Sequence, residues 1–223
     1  MEYPKIKSEI VYDSLGNSLF RVTVTNEDKT ITEKTISYPD YMKLLGDSGF
    51  EDRNSYISIG PLPKGYVNAK LNISNPGTFK VMVFYPGEKR AFCYGNYHYF
   101  VPFPPLVFNF DCVNGSLRSH HCYATCTDSL TPDTPLMMYP FGNVSDTGSI
   151  CMGNIETKQL TAICDIDGVV ESFFMSETNN DYYSSKNTLP QEQLIQKIKD
   201  LQLFPVELLK PDSKNRVVKD VFD

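Results

Sequence analysis

The sequence predicts an α+β fold, an antiparallel sheet flanked by helices behind a β-rich N-terminal extension. Two patterns predict it. Period-two alternation and hairpin signals recur from residue 10 to residue 124, whereas apolar residues at helical spacing gather only after residue 160. Strands first and helices afterwards is the order of an α+β domain, not of alternating βα units.

The elements follow in chain order. Ile10-Val11-Tyr12 leads into a Gly16-Asn17 turn, after which Phe20, Val22 and Val24 alternate with Arg21, Thr23 and Thr25, a strand with one buried face. Residues 26–28 read as a turn and 29–36 as an antiparallel return. Tyr38 to Leu45 reads as a short helix, with Pro39 in its first turn and Gly46 at its exit. The loop from Gly60 to Gly65 closes the extension, so 1–65 is predicted as a β-rich region and 66–210 as the main domain.

Within the main domain, Thr78 to Tyr85 and Arg90 to Tyr94 flank Pro86-Gly87-Glu88, predicting a hairpin. Phe103-Pro104-Pro105 leads a strand over 106–110. Asn114-Gly115 is a strong two-residue turn signal that joins it to a strand over 117–124. Residues 127–154 form a long irregular connection. It carries Leu136, Met137, Met138, Tyr139 and Phe141, so it is expected to be ordered, and a loop of that length in a compact domain is usually functional. Leu160, Ile163, Cys164, Val170, Phe173 and Phe174 approximate helical spacing, with Gly168 making a kink or two shorter helices. Ser176 to Leu189 reads as loop. Leu194, Ile195, Ile198 and Leu201 mark an amphipathic helix over 191–201, expected to cover the domain's own core, and 211–223 reads as a mobile charged tail.

Bulk properties exclude some functions. Of the 223 residues 41% are hydrophobic and 22% charged, enough to bury a core. A net charge of −6 without a cluster of Lys and Arg argues against nucleic acid as a partner. Residues 1–7 lack the apolar stretch of a signal peptide and no run of 18 apolar residues follows, so a cytoplasmic protein with no membrane partner is expected. The cysteines at 93, 112, 122, 126, 151 and 164 are then expected as free thiols, most of them buried as small hydrophobes. His120-His121-Cys122 with Cys126 offers too few ligands for zinc and reads as structural, and His98 reads as one of an aromatic group. No metal or cofactor is implied.

The chemistry lies in Pro140 to Asn154, P-F-G-N-V-S-D-T-G-S-I-C-M-G-N. An asparagine stands eight residues before a cysteine, with Asp146-Thr147-Gly148 as a turn between them. This resembles the active-site signature of ubiquitin-conjugating enzymes, in which an asparagine closes a His-Pro-Asn triplet and a Gly-x-Ile-Cys segment follows at the same interval. Asn143, Gly148, Ile150 and Cys151 fall on the matching positions. The order of hairpin, Pro-Pro-led strand, loop and helices is similar to that family too. Over residues 60 to 178 the chain resembles more closely the bacterial B-protein family of the PRTRC cassettes, in Asp133-Thr134-Pro135-Leu136, the Asn-Val pair at 143, Ile-Cys-x-Gly-Asn at 150 and Phe173-Phe174-x-Ser176. Departures are Phe141 and Gly142 in place of the His and Pro, Met-Gly-Asn after the cysteine, and an extra hairpin before the loop.

The resemblance implies a ubiquitin-conjugating-like fold and a cysteine-dependent transferase. Cys151 would take a ubiquitin-like protein from an adenylating, ThiF-like activating enzyme as a thioester and pass it to an amine of a protein substrate. A thiolate suits that step, because its thioester stays activated toward amines. Asn143 would donate to the oxyanion of the tetrahedral intermediate, or else bond its own backbone as a turn residue. Gly148 permits the turn. Asp146, if close in space, would raise the pKa of the thiol, or would help deprotonate an incoming lysine. Two further readings stand beside this one: a non-catalytic scaffold that keeps the conjugating fold, and a redox sensor that uses Cys151 with a second thiol.

Overall fold

The structure, a computed structural model, describes residues 5–12, 18–25, 29–37, 39–41, 43, 61–72, 75, 77–153, 159–183 and 189–222. Two units are distinguished, residues 1–58 and 59–223. The first holds β1 (Lys5–Tyr12), β2 (Ser18–Thr25) and β3 (Ile31–Ile36), an antiparallel meander in that order. Val22 is buried. On the exposed side Arg21 reaches both Glu9 (2.9 Å) and Glu33 (3.1 Å) across the three strands. Ser37 caps the helical residues 39–41 and 43, its hydroxyl accepting the Asp40 N–H at 3.3 Å, and Tyr41 stacks on Phe20 with centroids 4.4 Å apart. The expected turns at 13–17 and 26–28 and the helix exit at 46 lie outside the described residues.

The second unit is sheet-rich with few helices. A five-stranded antiparallel sheet has the order β10 (Met137–Met138), β9 (Ser116–Ala124), β8 (Leu106–Val113), β5 (Phe79–Tyr85), β4 (Tyr66–Leu71). A second sheet has the order β11 (Glu177–Thr178), β6 (Glu88–Tyr94), β7 (Tyr97–Phe103), with β11 parallel to β6. β8 is central and buried on both faces from residue 106 to residue 110. One face, through Phe108 and Phe110, shares a core with Phe92, Val101 and Phe103 of the second sheet and with α1 (Ile166–Met175) and α2 (Gln191–Ile198). The opposite face packs Met82, Val107 and Tyr123 against Leu136, Val218 and Phe222.

Four expectations change. The hairpin over 78–94 does not form. β5 is buried on both faces and already pairs with β4 and β8, so Pro86-Gly87 carries the chain to the other sheet. β6 instead turns at Gly95-Asn96, both at positive φ (54° and 65°), into β7, a strand the sequence reading passed over. The helical spacing after residue 160 resolves into a 3-10 turn, Ile163–Asp165, and α1, and α2 ends at Ile198 with Leu201 41% exposed. Residues 211–222 are ordered, not mobile. Their backbone bonds run antiparallel to 132–137 (Leu136 N–H to Arg216 O, 2.9 Å; Val218 N–H to Thr134 O, 3.0 Å), and the 3-10 turn Val218–Val221 delivers Val218 and Phe222 to the core.

Candidate active site

The loop is a tight hairpin laid along β9 at residues 120–122, beyond the stretch of the same edge that β10 covers. Val144 and Ile150 form an antiparallel bridge. Cys151 N–H donates to Asn143 O at 2.7 Å, Ser145 N–H to Ser149 O at 2.8 Å, and Gly148 N–H to Ser145 O at 3.0 Å, closing the turn. The return arm then pairs with β9: Cys122 N–H donates to Gly148 O at 2.8 Å and Ile150 N–H to His120 O at 3.1 Å. Alternation along this arm decides exposure. Gly148 and Ile150 are buried, Ser149 between them is exposed, and Cys151 is half-buried one residue past Ile150, while Val144 meets Ile150 in the core and Asp146 is exposed at the turn. The interval of eight residues is therefore a geometric one, since it makes Asn143 and Cys151 backbone partners at the open end of the hairpin.

Asn143 is buried and held at φ 65°, a conformation that asparagine tolerates better than most residues. Its side-chain amide bonds the segment after α1: Nδ2 donates to Glu177 O at 2.8 Å, and Oδ1 accepts Asn179 N–H at 3.2 Å. Its own N–H donates to Asp181 O at 3.0 Å. Beside it, Gly142 N–H donates to Gln191 Oε1 at 2.5 Å, and Gln191 Nε2 donates to Asn179 O at 2.9 Å. Gln191 is 1% exposed, so this glutamine at the start of α2 joins the loop to the 177–181 segment from inside the core.

The two departures from the triplet acquire reasons here. A Cβ at residue 142 would stand 1.9 Å from Asn179 O, and a proline would have no N–H for Gln191. Phe141 is fully buried among Phe92, Phe103, Tyr139 and Phe204, so an aromatic core contact occupies the place of the histidine.

The turn is anchored separately. Thr147 O accepts from Tyr123 Oη at 2.8 Å and from an Arg216 terminal nitrogen at 3.0 Å. Gly148 has φ 85°, and a Cβ there would lie 2.2 Å from the Tyr123 ring. Arg216 forms a bidentate pair with buried Asp212 (2.6 and 2.8 Å), its guanidinium 4.9 Å from the centre of the Tyr123 ring. Burial pushes the Tyr123 phenol up to about 12. Burial also opposes ionisation of Asp212, but hydrogen bonds from Arg216 and the Lys214 N–H outweigh it and hold the carboxyl below its ordinary range.

A family model, prokaryotic E2 family D, matches residues 61–211. The chain belongs to that family. No curated protein and no solved structure matches it. The family is one of ubiquitin-like conjugation, in which such proteins in general work with an activating enzyme and a ubiquitin-like modifier.

Within this E2-family domain the other candidate groups fall elsewhere. His120 and His121 precede the buried Cys122 on β9, while Cys126 lies past the strand end and is exposed. No group of three or more His, Cys, Asp or Glu among the described residues stands close enough to hold a metal. Burial lowers the pKa of both histidines. His98 is exposed on β7. No helix among the described residues is long and apolar enough to cross a membrane. Sequence reasoning missed Gln191, Tyr123 and Arg216. Gln191 sits among apolar positions at a helix start, the one signal that pointed to it.

Proposed function

We propose that this E2-family chain is an acyl carrier with a ubiquitin-conjugating-like arrangement of sheet and helices, and that Cys151 is its nucleophile. The observation that carries the reading is the position of Cys151. It is a half-buried thiol at the open end of a braced hairpin, its N–H bonded to the asparagine that the family signature pairs with it. The Cys151 thiolate attacks the carbonyl carbon of a modifier's C-terminus held on the activating enzyme. A C–S bond forms and the activating enzyme's thiolate leaves. An amine of the protein substrate then attacks the new thioester, a C–N bond forms, Cys151 leaves as thiolate and the amine proton passes to solvent.

Asn143 takes two parts in this reading. Its carbonyl fixes the Cys151 backbone, and its amide, which has two N–H groups of which Glu177 O uses one, supplies a donor for the oxyanion. Asp146 stays in solvent at the turn, and Gly148 and Ile150 set the course of the return arm.

The test is charging. With its activating enzyme, ATP and modifier, the wild type should form an adduct cleaved by thiol, Cys151→Ser one that resists thiol, and Cys151→Ala none. Failure of the wild type beside an activating enzyme that adenylates its modifier would remove the reading. The same bonds from the Asn143 amide to residues 177 and 179 favour a second reading, a scaffold that keeps the loop only for shape. Under it Cys151→Ala retains partner binding and biological activity.

A further inference from the structure

The family match ends at residue 211, yet the turn of the loop is held by residues beyond it. Arg216 is tied on three sides. Its Nε and one terminal nitrogen grip Asp212, whose side chain has no exposure, and the same terminal nitrogen reaches Thr147 O at 3.0 Å. Its guanidinium plane stands over the ring of Tyr123, which donates to the same carbonyl and against whose edge Gly148 rests. Asp212 is fixed in turn by the N–H groups of Lys214 (3.1 Å) and Arg216 (3.3 Å), and the whole segment by its backbone bonds to 134–138. A rigid, buried bidentate pair that spends a donor on one loop carbonyl, four residues before the thiol, is an orienting device. An arginine is required for it, because a lysine ammonium is a single point that cannot grip both carboxylate oxygens and Thr147 O in one plane.

We propose that the segment Asp212–Arg216 is a brace for the catalytic hairpin, with Arg216 the positioning residue that sets how Cys151 is presented. The brace rests on the reading of Cys151 as the acyl-carrying thiol. Arg216 touches no reacting atom. It acts through the Thr147 carbonyl and the hairpin, while Asn143 and Gln191 hold the opposite end. Loosening the turn frees the return arm from β9, which exposes the sulfur more and presents it less well.

Two variants test this, each sparing the fold. Arg216→Lys leaves a positive charge for Asp212, and Tyr123→Phe removes one donor while keeping the ring. Lys219→Ala, which breaks an exposed pair with Asp133, is the control. Measured well below the unfolding midpoint, charging with activating enzyme, ATP and modifier should slow about 3- to 10-fold in each variant, the loss of roughly one hydrogen bond's worth of order. Alkylation of Cys151 by iodoacetamide, followed by mass spectrometry, should rise by about the same factor, and the control should change neither. A purely structural role predicts a lowered midpoint with both rates unchanged while the protein is folded. Wild-type rates of charging and alkylation in Arg216→Lys overturn the brace and leave the acyl-carrier reading standing. A wild type that never charges sinks that reading instead, and the alkylation ratio alone then decides whether Arg216 positions the thiol.

Discussion

Replacing Gly148 by alanine tests the hairpin's geometry most sharply, because two separable costs meet there. The backbone sits at φ 85°, where an L-residue with a Cβ loses about 1–2 kcal/mol. The added methyl would also stand 2.2 Å from Tyr123 Cε1 and 2.3 Å from Cζ. That ring is 1% exposed and pinned through its hydroxyl to Thr147 O and by the Arg216 guanidinium over its face, so it has little freedom to retreat. Forcing an extra methyl into such packing costs about 1–3 kcal/mol. Gly148→Ala should therefore lose about 2–5 kcal/mol. Gly153→Ala provides the comparison, since Gly153 has φ 49° but meets nothing within 4 Å among the described residues, so only the backbone cost of about 1–2 kcal/mol applies. Urea denaturation at constant slope reads the difference: with a slope of about 2 kcal/mol/M, Gly148→Ala shifts the midpoint by about 1–2.5 M. A loss in Gly148→Ala no larger than that in Gly153→Ala would refute the placement of the turn against Tyr123.

Gly142→Pro, which restores the residue of the family triplet, should be among the most harmful changes in the loop. It loses the N–H that Gln191 accepts and drives ring atoms toward Asn179 O, for about 3 kcal/mol or more in the same urea assay. Gln191→Leu leaves the buried Gly142 N–H without its acceptor and takes a donor from the Asn179 carbonyl, and should cost about 1–3 kcal/mol and slow charging. Phe141→Ala opens a cavity in the aromatic core and should cost about 3–5 kcal/mol by calorimetry. Two pH dependences follow. Asp212 has a depressed folded pKa, so its stabilisation is complete above its unfolded value of about 4 and is lost as pH falls through the lower folded one; the advantage of wild type over Asp212→Asn should shrink only in that acid range. His120 and His121 are depressed by burial, so the unfolded chain binds protons first and stability should fall as pH drops below about 6.5, a slope that His120→Gln/His121→Gln flattens.

What could be read from the sequence was what short-range chemistry decides. Asn114-Gly115 marks the β8–β9 hairpin because a two-residue turn with both φ positive (53° and 78°) is a local requirement. The signature from Asn143 to Cys151 was visible because its spacing closes one hairpin. What escaped depends on pairing across long separations. Whether β5 turns back onto β6 or joins β4 and β8 is settled by which faces are buried, not by Pro86-Gly87 itself. Strands of two residues such as β10 and β11 exist only by virtue of their neighbours. β7 was hidden because its turn reads Gly-Asn, the reverse of the familiar signal, and because Pro102 and Pro104 close it. At the site, Gln191 and Arg216 lie 49 and 69 residues from the loop atoms they hold, and a charged C-terminal stretch gives no sign of folding against a sheet until Val218 and Phe222 are seen in its core.

The central claim concerns one sulfur among six. Charging the protein to completion, unfolding it in urea so that buried Cys112 and Cys122 also react, alkylating every remaining thiol and mapping the peptides by mass spectrometry would test it directly. Cys151 alone should escape alkylation, and should regain it when the adduct is released by thiol, with exposed Cys126 labelled throughout. Protection centred on Cys126 or Cys164, or full labelling of Cys151 in protein that carries the modifier, would contradict the account.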